Sequence, residues 1–264
     1  MAKTKQAKEE TEAIKPKTTS PFKEQALLEK EIKDFANKFK TTVVNQSKRI
    51  SDYFEMSCFN YIVLFYEING YRLTVQNLQS NQYRYKCSTS GVQSNFSHFR
   101  ATITKDKKKY EFEIQHNLAI QSSHHKELFT TPDISIIKKG KVKTTTEYYD
   151  SKKRFSFANN IDVMSFCEVK QFNPFPELLF NFIGTINELQ KDIMTNKAKV
   201  LDPPHLAPSL MISGKPNKQT TRIKEVLESR YCINLIYDLF YSGTTTFSKH
   251  NPTNLRTVGQ LPSS

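Results

Sequence analysis

The spacing of hydrophobic residues changes along this chain, and each spacing predicts a different element. From residue 21 the segment PFKEQALLEKEIKDFANKF repeats its apolar residues at helical spacing, after Ser20 as a candidate cap and Pro21 in the first turn. Residues 51–68 are apolar around most of a helix circumference, between a candidate cap at Ser51 and a stop at Gly70. The first segment predicts an amphipathic helix, and the second predicts a helix in the core.

After Gly70 the apolar positions alternate with polar ones, which is typical of strands. A short strand is expected at 71–75, and further strands joined by hairpin turns at 84–120, of which KYEFEIQHNLAIQ is the clearest. Two apolar strands follow at 132–138 and 163–172, separated by a long basic loop. A helix from about Pro176, a strand in APSLMISG, a helix in KQTTRIKEVLESRY and a strand in CINLIYDLFY complete the pattern. This alternation predicts an α/β sheet with helices on its faces.

The ends of the chain differ in composition from its middle. Residues 1–20 are charged, rich in Thr and interrupted by Pro16, so we expect a disordered tail. Residues 243–264 are polar and contain Pro, which predicts a flexible C-terminal tail. With 264 residues and 37% hydrophobic content, the chain can bury a sizeable core, and residues 21–242 are expected to form one domain.

The formal net charge is +13, and the two expected tails carry only +2 each, which leaves +9 on the middle of the chain. A basic surface favours nucleic acid or another polyanion, because neutralised phosphates release counterions. A lysine-rich proteome would give the same charge without such a partner. The four cysteines, Cys58, Cys87, Cys167 and Cys232, stand singly in apolar or strand-like runs and predict buried free thiols. With no secretory signal and no apolar run long enough to span a membrane, we expect a cytoplasmic protein without a membrane partner.

Candidate chemistry lies in the two apolar strands, which carry Asp133, Glu168 and Lys170. Residues i and i+2 of a strand share a face, so Glu168 and Lys170 should point together. If the strands pair, the Asp133 carboxylate can approach that of Glu168, and two such oxygen ligands suit Mg²⁺ or Mn²⁺. The lysine could then hold a water beside the metal, which would generate a nucleophile next to a phosphate. The alternative is a strand-start carboxylate and a solvated ion pair on an edge strand, but the flanks DVMSFC and QFNPF are typical of a central strand.

The dipeptide Pro132-Asp133 followed by Glu168-Val169-Lys170 resembles the motif of the PD-(D/E)xK nuclease superfamily, which includes restriction endonucleases and Holliday-junction resolvases. The resemblance covers roughly residues 50–240. It implies a restriction-endonuclease-like mixed central sheet flanked by helices, with an extra strand meander and flexible tails, so that residues 21–242 form a nuclease-like domain. The basic loop between the motif strands would then be an insertion. A second ExK, Glu31-Ile32-Lys33, lies in the first predicted helix, where positions i and i+2 diverge.

The resemblance also implies an activity, that of a metal-dependent endonuclease hydrolysing phosphodiester bonds in DNA. Asp133, Glu168 and Glu55, an acid on the first core helix, would hold Mg²⁺ or Mn²⁺, with Glu113 in reserve as the third acid. Lys170 would assist the attacking water, and Gln171 could bind phosphate or orient that water. The cations of the basic loop are expected to grip the phosphate backbone; they are Lys138, Lys139, Lys141, Lys143, Lys152, Lys153 and Arg154.

Two other functions stay open at this point: a catalytically silent nucleic-acid-binding subunit that keeps the basic groove, and a ribonuclease. A homodimer or a partner protein subunit would supply the second site that cutting both strands calls for. His124 and His125 could touch substrate or metal, although a doubled His in a polar turn is more often solvated. The chain has seven glycines and no Walker-type, HExxH or GxSxG pattern, which argues against a nucleotide-cradling loop.

Overall fold

The computed structural model describes residues 25–43, 50–146, 153–194, 200–239 and 252–260. The expected disordered tail at 1–20 lies outside these residues. The helices are α1 (Gln25–Lys38), α2 (Ile50–Ile68), α3 (Pro176–Met194) and α4 (Lys218–Arg230). The strands are β1 (Thr42–Val43), β2 (Arg72–Gln76), β3 (Gln82–Tyr83), β4 (His98–Lys105), β5 (Lys108–His116), β6 (Ala119–Gln121), β7 (Phe129–Thr130), β8 (Ile134–Lys138), β9 (Lys143–Thr145), β10 (Phe155–Ala158), β11 (Val163–Lys170), β12 (Ser209–Ile212) and β13 (Asn234–Ile236).

A seven-stranded mixed sheet with the order β13-β12-β11-β8-β5-β4-β2 organises the fold. From β2 to β11 the neighbouring strands run antiparallel, whereas β11, β12 and β13 run parallel. The parallel strands are connected through α3 and α4, as parallel neighbours require a crossover. The expected α/β fold with helices on the faces of a mixed sheet is therefore confirmed.

The two motif strands occupy the middle of this sheet. β8 and β11 pair antiparallel, with Ile134 opposite Cys167 and Ser135 opposite Phe166. Their side chains are apolar towards both faces, which is the pattern of strands covered on both sides. The strand pairing on which the candidate site depends is therefore present despite the long insertion between the strands.

The sheet is covered by two helical layers. Helices α1 and α2 pack on one face against Ile134, Ile136 and Cys167, among others, and α3 and α4 pack on the other face against Ile137 and Phe166. Helix α2 is apolar all round because α1, the sheet and the C-terminal segment surround it. None of the described helices is long and apolar enough to cross a membrane. Cys58, Cys167 and Cys232 are buried free thiols, as expected, and Cys87 is half-buried.

The predicted strand KYEFEIQHNLAIQ is two strands instead of one. Asn117 has a left-handed backbone with φ 47°, so β5 ends at His116 and β6 joins a second sheet with the order β7-β6-β10-β9. Asn is one of the few residues that adopt this conformation readily. Its side-chain amide donates to the Lys86 carbonyl at 2.8 Å, which fixes the break. Alternation of side chains cannot reveal such a break, because it continues on both sides of Asn117.

The segment 243–264 is expected from the sequence to be a flexible tail, but part of it has a defined structure. Residues 252–260 pack on the domain: Pro252–Asn254 form a 3₁₀ turn, Thr257 forms a bridge with Leu206, and Val258 is buried. The Arg256 guanidinium donates to the Glu228 carbonyl at 2.7 Å. A polar segment can close over a core when its backbone groups find partners, and composition alone does not show this.

The central position of β8 makes a prediction about stability. Ile136→Ala, at a fully buried site, should lower the free energy of unfolding by about 2–5 kcal/mol, because it leaves a cavity between the sheet and α2. The matched control Ile161→Ala, at a residue 73% exposed, should change it by less than about 0.5 kcal/mol. Urea unfolding followed by circular dichroism measures both, and equal losses would contradict this account of the core.

Candidate active site

Asp133, Glu168 and Lys170 meet where β11 ends and β8 begins, at one end of these two central strands. Asp133 directly precedes β8, opposite Glu168 of β11, and its Oδ2 accepts a hydrogen bond from the Val169 backbone N–H at 2.5 Å. The Lys170 Nζ donates to Asp133 Oδ2 at 3.0 Å and to Glu168 Oε2 at 2.8 Å. One ammonium therefore joins two carboxylates that come from paired strands. Alternation along β11 places Glu168 and Lys170 on the same face, and pairing of β11 with β8 brings Asp133 next to them.

Burial shifts the acid–base properties of all three groups. It raises the pKa of Glu168 to about 7, with a further increase from the Asp133 charge and an opposing contribution from Lys170. The pKa of Asp133 is also raised, first by burial and further by the charge of Glu55, although Lys170 opposes this. Burial lowers the pKa of Lys170, but the charges and hydrogen bonds of the two carboxylates outweigh it and raise this pKa overall. Burial and mutual repulsion thus disfavour the state in which both Asp133 and Glu168 are ionised. A bound cation would stabilise that state.

Glu55 lies close to this centre but has its own partners. Its Oε1 lies 2.6 Å from His116 Nε2 and accepts a hydrogen bond from the side-chain amide of Asn117. Helix α2 carries Glu55 to the opposite face of the sheet from Glu168, so Glu55 approaches Asp133 from the other side. The charge of Glu55 contributes to raising the pKa of Asp133.

Asn117 and Lys86 connect these groups, and the sequence reasoning missed both. The Asn117 backbone N–H donates to the Asp133 carbonyl at 2.8 Å, while its side chain donates to Glu55. The ammonium of Lys86 donates to the Asn117 carbonyl at 2.7 Å and to Gln93 Oε1 at 3.0 Å. Lys86 is only 2% exposed, and burial lowers its pKa to about 8. A lysine inside the run RYKCS carries no sequence signal that separates it from a surface lysine.

The reserve acid Glu113 does not reach the site. It faces Ile137 on β8, four residues from Asp133, which is about 13 Å along a strand. Its carboxylate accepts hydrogen bonds from the Gly140 backbone at 3.0 Å and from Gln115 at 2.9 Å. Glu113 therefore anchors the start of the insertion.

Gln171, His124 and His125 contribute nothing visible to the three-residue centre. Gln171 is half-exposed just after β11, and within the described part of the chain no hydrogen bond joins it to Asp133, Glu168 or Lys170. The His124 ring nitrogen Nε2 lies 3.0 Å from the Asn187 carbonyl on α3, and both histidines are exposed in the turn after β6. The solvated interpretation fits these histidines.

The cations of the insertion lie at different distances from Asp133, Glu168 and Lys170. Lys138 is five residues along β8 from Asp133, about 16 Å away, and lies 3.6 Å from Asp162. Lys139 pairs with Glu111 at 2.9 Å, at the same far end. β10 pairs in parallel with β6, with Phe157 opposite Ala119, so Arg154 just before β10 lies towards Asn117 and the site. Lys141 and Lys143 are exposed. Lys153 precedes Arg154 in the sequence, and Lys152 lies outside the described residues.

The donor set fits a hard divalent cation only in part. Two carboxylates with raised pKa values converge at the sheet edge, and their oxygens are the ligands that Mg²⁺ and Mn²⁺ prefer. Across the described ranges, however, no group of three or more His, Cys, Asp or Glu side chains is arranged to hold a metal ion. Asp133 and Glu168 thus form a two-carboxylate centre, and Glu55 lies beside it with a hydrogen bond from Asn117.

Lys86 gives a prediction about stability and pH. Its pKa in the folded protein, about 8, lies below the ordinary value of 10.5, so the folded state loses this proton before the unfolded state does. The free energy of unfolding should therefore rise from pH 8 towards pH 10 in the wild type relative to Lys86→Met, which lacks the proton. The exposed Lys141→Met serves as the control and should follow the wild type. Denaturant unfolding across this pH range measures the effect, and parallel curves for wild type and Lys86→Met would contradict it.

Comparison with known proteins assigns no family to this arrangement. No family model matches the chain, no curated protein matches it, and no solved structure matches it. The functional interpretation consequently depends on the geometry of Asp133, Glu168, Lys170 and their neighbours.

Proposed function

We propose that this protein is a metal-dependent nuclease that hydrolyses phosphodiester bonds in DNA. The observation that carries the proposal is the joint contact of Lys170 with Asp133 and Glu168, at 3.0 Å and 2.8 Å, on paired central strands. A half-buried carboxylate pair with an adjacent ammonium suits a reaction in which charge develops on a phosphate. The net charge of +13 supports a polyanionic substrate.

Each residue of the site has a role in this proposal. Asp133 and Glu168 would hold Mg²⁺ or Mn²⁺ from the sheet, with Glu55 contributing from α2 directly or through a water. The bound cation would polarise the scissile phosphate and lower the pKa of a coordinated water. Lys170 would exchange part of its contact with the carboxylates for the attacking water, which it would orient. Asn117 and His116 would hold the Glu55 carboxylate in place.

The fold and the motif together support a more specific proposal, that the domain is a restriction-endonuclease-like nuclease. The order of helix α2, a strand meander with Asp133 and Glu168, helix α3 and strand β12 resembles the core of the restriction-endonuclease-like nucleases. Under this assignment, β9, β10 and the surrounding loop are an insertion in that core. DNA is proposed over RNA from this resemblance alone, which is an analogy at the level of the fold.

One observation favours a second function, a nucleic-acid-binding subunit without catalysis. Glu55 is engaged by His116 and Asn117, and the carboxylates of Asp133 and Glu168 are both engaged by Lys170. Such pairing could simply neutralise the acids. The two functions differ in whether added metal brings about cleavage, because the binding subunit would hold DNA without cutting it.

The first test of the nuclease is cleavage itself. Plasmid DNA, single-stranded DNA and RNA are incubated with the protein in Mg²⁺, Mn²⁺ or EDTA. We expect DNA cleavage with either metal and none in EDTA. Asp133→Asn and Glu168→Gln should each lower the rate by at least about 100-fold, because a ligand to the cation is lost. Glu55→Gln should lower the rate by roughly 10- to 100-fold, as expected for a group that supports the ligands.

The matched control is Glu113→Gln, at a buried acid on the same face of the same sheet as the half-buried Glu168. It should keep its rate within about threefold, because Glu113 lies about 13 Å from Asp133 along the strand. Equal losses in Glu113→Gln and Glu168→Gln would show a general effect on folding. DNA binding without metal-dependent cleavage by the wild type would favour the binding subunit, and cleavage of RNA alone would identify a ribonuclease.

Metal binding should also depend on pH. The pKa of Glu168 is about 7, so below this pH the folded protein holds a proton that the cation must displace. Affinity for Mn²⁺ should therefore rise with pH by up to about tenfold per unit below pH 7 and level off above it. Isothermal titration calorimetry from about pH 5.5 to 8.5, in buffers of different ionisation enthalpy, measures the affinity and the protons released. An affinity independent of pH would mean that Glu168 is not a ligand.

A further inference from the structure

Two exposed phenylalanines stand immediately beyond the candidate active site. Phe172 and Phe175 follow Lys170 at the end of β11 and are 42% and 43% exposed. Their ring centroids lie 5.8 Å apart with an interplanar angle of 32°. Phe172 is two residues from Lys170, so their Cα atoms are within about 7 Å. Large apolar side chains that stay in water beside a site are a recognised mark of a binding surface.

The loop that carries these rings is held firmly. The Gly214 backbone N–H donates to the Phe172 carbonyl at 3.2 Å, and the Lys215 N–H donates to the Asn173 side chain at 3.1 Å. A Cβ added at Gly214 would lie 2.5 Å from the Asn173 Cα, so the two loops approach as closely as glycine allows. Pro174, which lies between Phe172 and Phe175 in the sequence, is buried. The backbone that carries the rings is thus hydrogen-bonded and closely packed, which lowers the entropic cost of ordering it on binding.

Cations lie on the segment that packs against the ring-bearing loop and on the helix that follows it. Lys215 and Lys218 are exposed on the loop and first turn that follow β12, and Arg222 lies one turn further along α4. The first turn of α4 contains no acidic residue, so its positive dipole end is not neutralised there. Among carboxylates, Glu177 is exposed at the start of α3, and the half-buried Asp238 lies next to Gly214, to whose carbonyl its N–H donates. The cations offer contacts for a phosphate backbone beside the rings.

From this surface we infer that Phe172 and Phe175 form a stacking platform for unpaired DNA bases, which makes single-stranded or locally opened DNA the substrate. The inference rests on the proposed function and specifies its substrate. Aromatic rings beside lysines bind single strands through stacking and backbone contacts, whereas the bases of an intact duplex keep their faces covered. The platform directly follows Lys170, so a base stacked there would bring a neighbouring phosphate to the carboxylates.

A fluorescence experiment tests the stacking directly, because the chain contains no tryptophan. Phe172→Trp introduces a single reporter at the platform, and the full-length protein is titrated in EDTA, so that cleavage does not interfere. A single-stranded 20-mer should quench the fluorescence through stacking, and the blunt duplex of the same sequence should not. Ile161→Trp is the matched control, since Ile161 is 73% exposed and lies at the opposite end of β11.

Affinity measurements separate stacking from apolar contact. The double variant Phe172→Ala/Phe175→Ala should weaken single-strand binding by about 5- to 100-fold and change duplex binding by less than about twofold. Phe172→Leu/Phe175→Leu keeps apolar side chains without aromatic faces and should lose as much. Circular dichroism verifies the fold of each variant, and light scattering gives the oligomeric state.

Four outcomes would overturn the inference, and two further outcomes separate it from the proposed function. Absence of quenching, equal quenching by duplex, or unchanged single-strand affinity in the double variant would remove the platform. A change of oligomeric state in the alanine variant would show a surface for self-association instead. Cleavage of DNA without quenching would refute only the platform, whereas quenching without metal-dependent cleavage would refute only the nuclease.

Discussion

Two carboxylates on paired strands share a single ammonium, and the arrangement of the candidate active site depends on this contact. Asp133 and Glu168 would repel each other at a half-buried position, and Lys170 compensates both charges. The contact is only available because β8 and β11 lie side by side in the middle of the sheet. The helical layers on the two faces bury these strands, and burial in turn raises the pKa of Glu168 to about 7. The same packing that stabilises the fold therefore tunes the candidate chemistry.

Asn117 is the point where the second sheet is connected to this centre. Its left-handed backbone turns the chain out of the large sheet, and its amide groups contact Asp133, Glu55 and Lys86. The buried ammonium of Lys86 holds the Asn117 carbonyl, so a charge far from solvent supports the turn. Ser156 of β10 accepts a hydrogen bond from the Gln93 backbone, and Gln93 contacts Lys86, so a chain of hydrogen bonds joins the insertion to Asn117.

The topology also decides what surrounds the site. β11, β12 and β13 are parallel, so their C-terminal ends share one edge of the sheet with Asp133. The loops after β11 and β12 place Phe172, Phe175 and Lys215 there, next to Lys170. Strand β8 runs in the opposite direction, so Lys138 at its end and Lys139 just after it lie at the other end of the strands, where they contact Asp162 and Glu111. Cations adjacent in the sequence to the motif strands therefore differ in their distance from the carboxylates.

The sequence by itself determined the features that depend on local periodicity. Alternation along β11 placed Glu168 and Lys170 on one face, and helical spacing located α1 to α4 within a few residues. Only the tertiary structure decided which distant groups meet: Asp133 with Lys170, Glu55 with His116 and Asn117, and residues 252–260 with the core. It also decided that Lys86 is buried and that Glu113 lies four residues too far along its strand. The physical reason is that side-chain direction follows from neighbouring dihedral angles, whereas burial and long-range partners follow from how the whole chain packs.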